Sequence, residues 1–338
     1  MTQSLVLICW ISSLLSLTAW AGEPDHHTLS TSSTQHAVTL VFGGDMALDE
    51  TAGEWIAQGK DPLADFASLF SQAHIRVANL ECVVATTGSA HDKNFTFRAH
   101  PRVIPALRRH FDAVTLANNH SGDFGREAFA EMLNLLQQGG VAQIGGGRNL
   151  SEAHTPLMLE RQGLRIALLS YNEFMPRSFE ADFNAPGVAW SEDQQVVADI
   201  RRARQVYRAD LVIPFMHWGW EDEPLANDRQ RQLARLMLEA GADAVVGGHP
   251  HVTQDVEIYQ GKPIIYSVGN FVMKQSDNSQ QRQGWVLRMR LDAQGVRALD
   301  TVVAQLDQEG IPRRDRQTPS PCWQRGQPAI QALCLPPE

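Results

Sequence analysis

The sequence predicts an α/β protein, and three observations carry that prediction. From residue 38 onward, apolar β-branched runs alternate with amphipathic helical stretches. The last third turns to consecutive strands joined by short glycine-containing turns, and each notable polar cluster falls just after a predicted strand. Alternation followed by a run of strands describes an α/β core whose sheets are completed by antiparallel strands. No repeat or linker interrupts residues 38–306, so one domain is expected there.

In chain order, Val38 to Phe42 reads as a buried strand ending at Gly43-Gly44. Pro62 to Ala73 reads as a helix, with Asp61 as its N-cap and Pro62 in its first turn. Ile75 to Leu80 is the next strand, Pro101 to His110 a helix, and Asp112 to Ala117 a strand. Arg126 to Gln138 carries apolar residues at helical spacing and stops at Gly139-Gly140. Strands at Val141 to Ile144 and Leu164 to Tyr171 follow, then a helix over Asp193 to Arg208. Leu211 to Met216 is a strand, and Asp228 to Ala240 a helix ended by Gly241. Further strands are expected at Asp243 to Val246, Gln254 to Tyr259, Pro263 to Val268, Trp285 to Leu291 and Ala298 to Leu306.

The 338 residues carry 29 basic and 38 acidic side chains, a net charge of −9, with 43% hydrophobic content. This balance speaks against broad nucleic-acid binding, which needs Lys and Arg facing phosphates. An anionic substrate would have to be held by local Arg groups or a metal rather than by long-range attraction.

Residues 1–21 read as a signal peptide or an uncleaved membrane anchor. Leu5 to Leu17 is apolar apart from serines, and Ala19-Trp20-Ala21 fits a small-x-small cleavage site, although residues 2–4 carry no Lys or Arg. Either way the protein is expected outside the cytoplasm, periplasmic or extracellular. Residues 22–36 read as a disordered linker, 37–308 as the folded domain and 309–338 as a Pro-rich tail with little core of its own. Cys322 and Cys334 are close enough in that tail to form a disulfide, which an exported chain permits. Cys82 reads as a small core residue, and Cys9 lies inside the apolar run rather than at its end, where a lipid-attachment Cys would be.

The chemistry concentrates at strand ends: Gly44-Asp45, Asn79-Leu80-Glu81, Asn118-Asn119-His120, His217-Trp218-Gly219 and Gly248-His249-Pro250-His251. In open α/β sheets these ends line the ligand crevice. Pro250 biases His249 toward an extended backbone, and residues two apart on an extended chain project to one side, so His249 and His251 are expected to converge. Two neutral imidazoles suit Zn, Mn or Fe. Asp45 and Glu81 add anionic oxygens, and Asn119 a neutral one. His120 and His217 are further imidazoles, His120 being placed to donate a proton. Arg98 is a candidate for gripping a carboxylate or phosphate.

Taken in order, these blocks resemble a known family. Gly-Asp at 44–45, Asn-Leu-Glu at 79–81 and Ala-Asn-Asn-His at 117–120 with Asp123 and Gly125 come first. His-Trp-Gly-x-Glu at 217–221, Gly-His-Pro-His at 248–251 and Tyr-Ser-Val-Gly-Asn-Phe at 266–271 follow. Over about 38 to 275 the chain is similar to the CapA family, poly-γ-glutamate capsule synthesis proteins of the calcineurin-like metallophosphoesterase superfamily. The resemblance implies a four-layer α/β/β/α sandwich and a site for one or two divalent transition-metal ions (Mn, Fe or Zn). It implies Glu81 as the bridging ligand, Asn119, His217 and His249 at one ion, and Asp45 and His251 at the other. His120 would stabilise the transition state or protonate the leaving oxygen, with Asn118, Asp123 and Asn270 supporting.

The superfamily usually carries Asp-x-His at the first strand, and Ala47 stands here where the His is expected. Glu221 either fills that gap or orients His217 from behind. Two functions follow from the resemblance: a metal-dependent hydrolase or transferase acting on an anionic polymer or a phosphorylated substrate, or a non-catalytic accessory that binds or helps export such a polymer beside a membrane-bound capsule synthesis complex.

Overall fold

A computed structural model describes residues 37–175, 177–274 and 276–334. The expected leader over 1–21 and linker over 22–36 lie outside the described residues. The first run of elements is β1 (Val38–Met46), α1 (Glu50–Ala57), β2 (Ile75–Leu80), α2 (Ile104–His110), β3 (Ala113–Thr115), α3 (Gly125–Gln138) and β4 (Ala142–Ile144). The second is β5 (Leu157–Arg161), β6 (Leu164–Asn172), α4 (Asp193–Gln205), β7 (Leu211–His217), α5 (Asp228–Ala240), β8 (Val245–Gly248), β9 (Val256–Tyr259) and β10 (Lys262–Ile265). The chain then adds β11 (Asn270–Val272), β12 (Gln283–Asp292), β13 (Gly295–Leu306), β14 (Pro312–Asp315), β15 (Ser320–Gln324) and β16 (Gln331–Cys334).

Among the described residues these strands build two large mixed sheets. The ten-stranded sheet runs β16-β15-β13-β12-β1-β2-β3-β4, with β11 also paired to β1 and β14 to β13. The six-stranded sheet runs β9-β10-β8-β7-β6-β5. The alternation of side chains along a strand sets the packing. On β1, Val38, Leu40 and Phe42 point into the core between the sheets, while Val41 joins the core beneath α1, α2 and α3. On β7, Leu211, Ile213 and Phe215 face the inter-sheet core and Val212 and Met216 pack under α4 and α5. Strands apolar on both faces are what buried parallel sheets require. Phe42 stacks on Phe215 across the gap, with ring centroids 6.0 Å apart.

The helices are set by equally local signals. In α3, Ala128, Phe129, Met132, Leu133 and Leu136 form one buried stripe. A capping box between Asn227 and Gln230 starts α5 two residues after Leu225, and Gly241 follows its end.

Two expectations are corrected. The helix expected over 62–73 is broken into a 3-10 turn, Ala64–Phe66, and a short α-helix, Ala67–Ser71. Its first anchors, Leu63, Phe66 and Leu69, are spaced by three, the repeat of a 3-10 turn, and Phe66 and Phe70 both pack edge-on against Phe271. Asp61 still accepts the Leu63 N–H at 3.0 Å, but its carboxylate also receives His110 at 2.8 Å. The tail expected to lack a core instead supplies β14, β15 and β16 to the large sheet and buries Trp323. Cys322 and Cys334 are joined as a disulfide across β15 and β16, and Cys82 is free and buried.

The feature that matters most for the site is a bulge in β1. Phe42 pairs with Val77 and Asp45 with Asn79, so β1 spends one more residue than β2 over Gly43-Gly44. A Cβ on Gly44 would lie 2.0 Å from the Gly269 carbonyl oxygen, a backbone atom held by its own hydrogen bond to Asp45 N–H at 3.0 Å. Gly44→Ala is therefore expected to cost about 3 kcal/mol or more, measured as a lowered urea midpoint with an unchanged m-value.

Candidate metal centre

The bulge turns Asp45 into the space where the two sheets meet. Register aligns Asp45 with Asn79 and Asn270 in the large sheet, and His217 with Gly248 and Asn172 in the small one. Glu81 follows β2, the turn between β3 and α3 carries Asn118 to Asp123, and His249 and His251 follow β8. The site thus sits at the carboxyl ends of parallel strands from both sheets.

Asp45, Glu81, His217 and His249 are fully buried. Asp45 Oδ1 accepts from Asn79 Nδ2 at 2.8 Å and Oδ2 from the His249 N–H at 2.9 Å. The Glu81 carboxylate lies 3.5 Å from His217 Nε2 and 3.7 Å from His251 Nε2. His217 Nε2 is 2.7 Å from Asn119 Oδ1 and 3.1 Å from His249 Nδ1. His251 is held by Asn270 Oδ1 at 2.9 Å. Asn118 donates to Asn79 Oδ1 and the Leu80 carbonyl, fixing the turn to the end of β2.

The histidine pair converges by a route other than the expected one. His249 has φ 95° and His251 φ 59°, so the segment is a left-handed turn and not an extended dipeptide. The preference of a residue before proline for extended geometry is overridden because the His249 N–H is drawn onto Asp45 and the Pro250 carbonyl accepts the Asp222 N–H at 3.0 Å. Such a backbone is worth about 1–3 kcal/mol of local strain, which tends to gather at functional sites.

Burial dominates the electrostatics. It raises the pKa of Asp45, opposed by His251 and by the bonds from His249 and Asn79, and it raises that of Glu81 further, reinforced by Asp45 and Glu221. Burial, then the neighbouring imidazoles, holds His217 and His249 well below the ordinary histidine value. These histidines are therefore neutral, the form that binds metals.

Among the described residues, both Glu81 carboxylate oxygens and His249 Nε2 are buried without a hydrogen-bond partner. Leaving such groups bare is costly, and a cation removes the cost at all three atoms. Three sets of side chains offer ligand atoms within 4.8 Å of one another: Glu81, His217 and His249; Asp45, Glu81 and His251; Glu221, His249 and His251. The donor set fits a divalent transition metal, with Glu81 common to the first two sets.

His120 stands beside this cluster. Its Nδ1 meets Asp123 Oδ2 at 2.7 Å and its ring packs on Phe97 at 4.3 Å, leaving Nε2 as the atom that can give or take a proton. It shares the wall of a cavity of about 320 Å³ with His251 and Glu221. Glu221 is exposed and belongs with His249 and His251, and no hydrogen bond ties it to His217 among the described residues. Arg98 is not brought to the cluster: its guanidinium lies over Phe124, 4.3 Å from the ring centroid, and reaches the Gly88 carbonyl. Ala47 is buried in the core with its N–H on Val272, so β1 contributes Asp45 and no imidazole.

Sequence reasoning named Asn79 only within the Asn-Leu-Glu block, without a role, and passed over Lys93 and Phe174. Asn79 ties Asp45 to Thr115 and Asn118, and its signal was an amide on a buried strand two residues before Glu81, which must find partners. Lys93 donates to Asp123 and to the Asn119 carbonyl, and Phe174 stacks on His249 at 3.9 Å. Both lie in loops whose path no local pattern reveals.

Comparisons with known proteins give the family and the fold. The family described as "Bacterial capsule synthesis protein PGA_cap" matches residues 39–275. The "PGA biosynthesis protein CapA" of Bacillus subtilis (strain 168) is 32% identical over 262 residues, covering 76% of this chain and 68% of that protein. The "Capsule biosynthesis protein CapA" of Bacillus anthracis is 30% identical over 225 residues, covering 66% of this chain and 54% of that protein. The chain thus spans about half to two thirds of the length of these relatives. In fold it is similar to a hypothetical protein from Thermus thermophilus, with TM-score 0.53, 17% identity, and coverage of 79% of this chain and 99% of that one.

Asn79→Ala is expected to weaken binding of Mn²⁺ or Zn²⁺ about 10–100-fold, as loss of a ligand's supporting partner typically does, while the far-UV spectrum is unchanged. Titration calorimetry of the metal against wild type and variant checks it.

Proposed function

The chain belongs to the bacterial capsule synthesis protein family, and from that membership we propose that it is an exported, metal-dependent hydrolase or transferase. Its substrate in this reading is an anionic polymer of the poly-γ-glutamate kind or a phosphorylated compound. The observation that carries the proposal is the Glu81 carboxylate, fully buried and bare of hydrogen bonds, set among His217, His249, His251 and Asp45. The facing sheets with helices on their outer sides support a four-layer α/β/β/α sandwich of metallophosphoesterase type.

Glu81, His217 and His249, helped by Asn119, would hold one ion, and Asp45, Glu81 and His251, with Glu221 near, a second. A bound divalent ion supplies Lewis-acid polarisation and acidifies water. The chain's own residues supply the rest. Asp123 orients His120 so that Nε2 handles the proton of the attacking or leaving group. Phe97 and Phe174 cover His120 and His249 and keep bulk water from the rings. Asn270 fixes the rotation of His251.

The names of the relatives place their own work in capsule and PGA biosynthesis. For this chain we carry over action on such a polymer, in the periplasm or at the cell exterior, alongside a membrane-bound synthesis complex. The absence of an imidazole at Ala47 favours one secondary reading, a polymer-binding accessory whose ion is structural.

Elemental analysis should find a transition metal in the purified protein. His249→Ala should lose that metal and reduce cleavage of a phosphodiester or a γ-linked glutamate polymer by more than the ~10–100-fold typical of an outer partner. Full biological function in metal-stripped wild type would overturn the enzyme. Metal and polymer binding without turnover would leave the accessory reading in place.

A further inference from the structure

The chain carries a net charge of −9, yet the cavity beside Asn119 is lined by cations. It has a volume of about 310 Å³, and its walls include His91, Lys93, Asn119, Arg126, Ser178 and Phe179. Asn119 belongs to both places: its side-chain oxygen touches His217 of the metal cluster, and its carbonyl accepts from Lys93. A group seated in this cavity therefore lies next to the reacting centre.

The charges there do not cancel. Asp123, the carboxylate on this wall, is fully buried and already accepts from Lys93, the Phe97 N–H and His120, so it neutralises Lys93 and offers nothing more. Arg126 is different. Its guanidinium donates to the carbonyls of Ser178, Glu180 and Pro186 and lies over the Phe179 ring, 5.2 Å from the centroid. Carbonyls are neutral partners, and no carboxylate among the described residues pairs with it. Three of the five N–H donors of a guanidinium are used in this way, which fixes its plane and leaves donors over. A half-buried, pre-oriented and electrically unmatched guanidinium is a receptor for a planar or tetrahedral oxyanion.

We infer that this cavity is the anion subsite of the enzyme: it seats a carboxylate or phosphate of the substrate, one unit away from the bond being cut, with Arg126 as the specificity-determining residue. The inference rests on the metal-dependent reading above, and it deepens that reading by naming what the substrate must carry. The cavity is near the lower limit for a small-molecule site, so it holds a single unit and leaves the remainder of a chain polymer outside. Lys93 has a different part, holding Asp123 and the Asn119 loop in place.

The test is equilibrium binding, by calorimetry, to the full chain with and without Mn²⁺. The probes are a γ-linked glutamate trimer, its uncharged amide counterpart and inorganic phosphate, each against wild type, Arg126→Gln and Arg126→Lys. Wild type should bind at least one anion, and the amide at least tenfold more weakly than the acid trimer if the carboxylate is the group recognised. Arg126→Gln should lose about tenfold or more for the anion that binds, with its metal content unchanged, and Arg126→Lys, which keeps the charge but not the planar fork, should lose clearly less than Arg126→Gln. Binding of the trimer alone assigns a carboxylate, and of phosphate alone a phosphoryl group. Equal losses in both variants would make Arg126 a mere tether of the 178–186 loop and overturn the subsite. So would equal binding of the amide and the acid, or no anion binding at all. Because binding without metal is read separately from turnover, these failures stand apart from failure of the hydrolase itself.

Discussion

The site depends on one carboxylate that is asked to bond in two directions. Asp45 projects from the large sheet, takes the Asn79 amide of the neighbouring strand on one oxygen, and takes the His249 N–H of the other sheet on the second. In a dry interior such bonds are strong and a missing one is expensive. The clasp therefore sets the distance between the two sheet ends, and with it the spacing of every side chain that either sheet contributes. It is possible because β1 bulges at Gly43-Gly44 and because Gly248 has no side chain, since a Cβ there would lie 2.5 Å from Asp45 Oδ1.

Glu81 shows the complementary condition. It is as deeply buried as Asp45, yet its oxygens have no donor among the described residues. Both carboxylates are pushed toward higher pKa by burial, and only Asp45 is offset by bonds from the chain itself. One acidic group organises the frame and the other is kept unsatisfied at its centre. His217 and His249 extend the same logic, being held neutral by burial and by the neighbouring imidazoles.

Much of this was legible in the sequence, for physical reasons. Strand and helix periodicities are local, so Ile75–Leu80 and Asp228–Ala240 were read to the residue and most other elements to within a few. A single polar residue at a strand end is commonly a cap or turn residue, but five such clusters together are improbable, which is why Asp45, Glu81, His217, His249 and His251 could be singled out. What escaped depended on contacts distant in sequence. The 62–73 helix breaks because Phe271, two hundred residues on, draws Phe66 and Phe70 onto itself. The turn at His249 follows Asp45, not Pro250. Lys93 and Arg126 look like ordinary surface charges until loops from elsewhere surround them, and Arg98, singled out beforehand, lies instead on Phe124. The last strands were missed because Pro321 and the polar run before it hide a sheet edge that pairs through backbone groups.

The close backbone crossing at Gly44, Gly269 and Asn270 divides the molecule into parts with unequal freedom to change. At the crossing, main chain meets main chain, and almost any added atom displaces the clasp and both half-sites together. The loops carrying Lys93, Phe97 and Phe174 reach the centre mainly through side chains. For an engineer this is a keel and a rigging. Libraries aimed at new acidic substrates belong in those loops, and the strand junction is the part to leave alone.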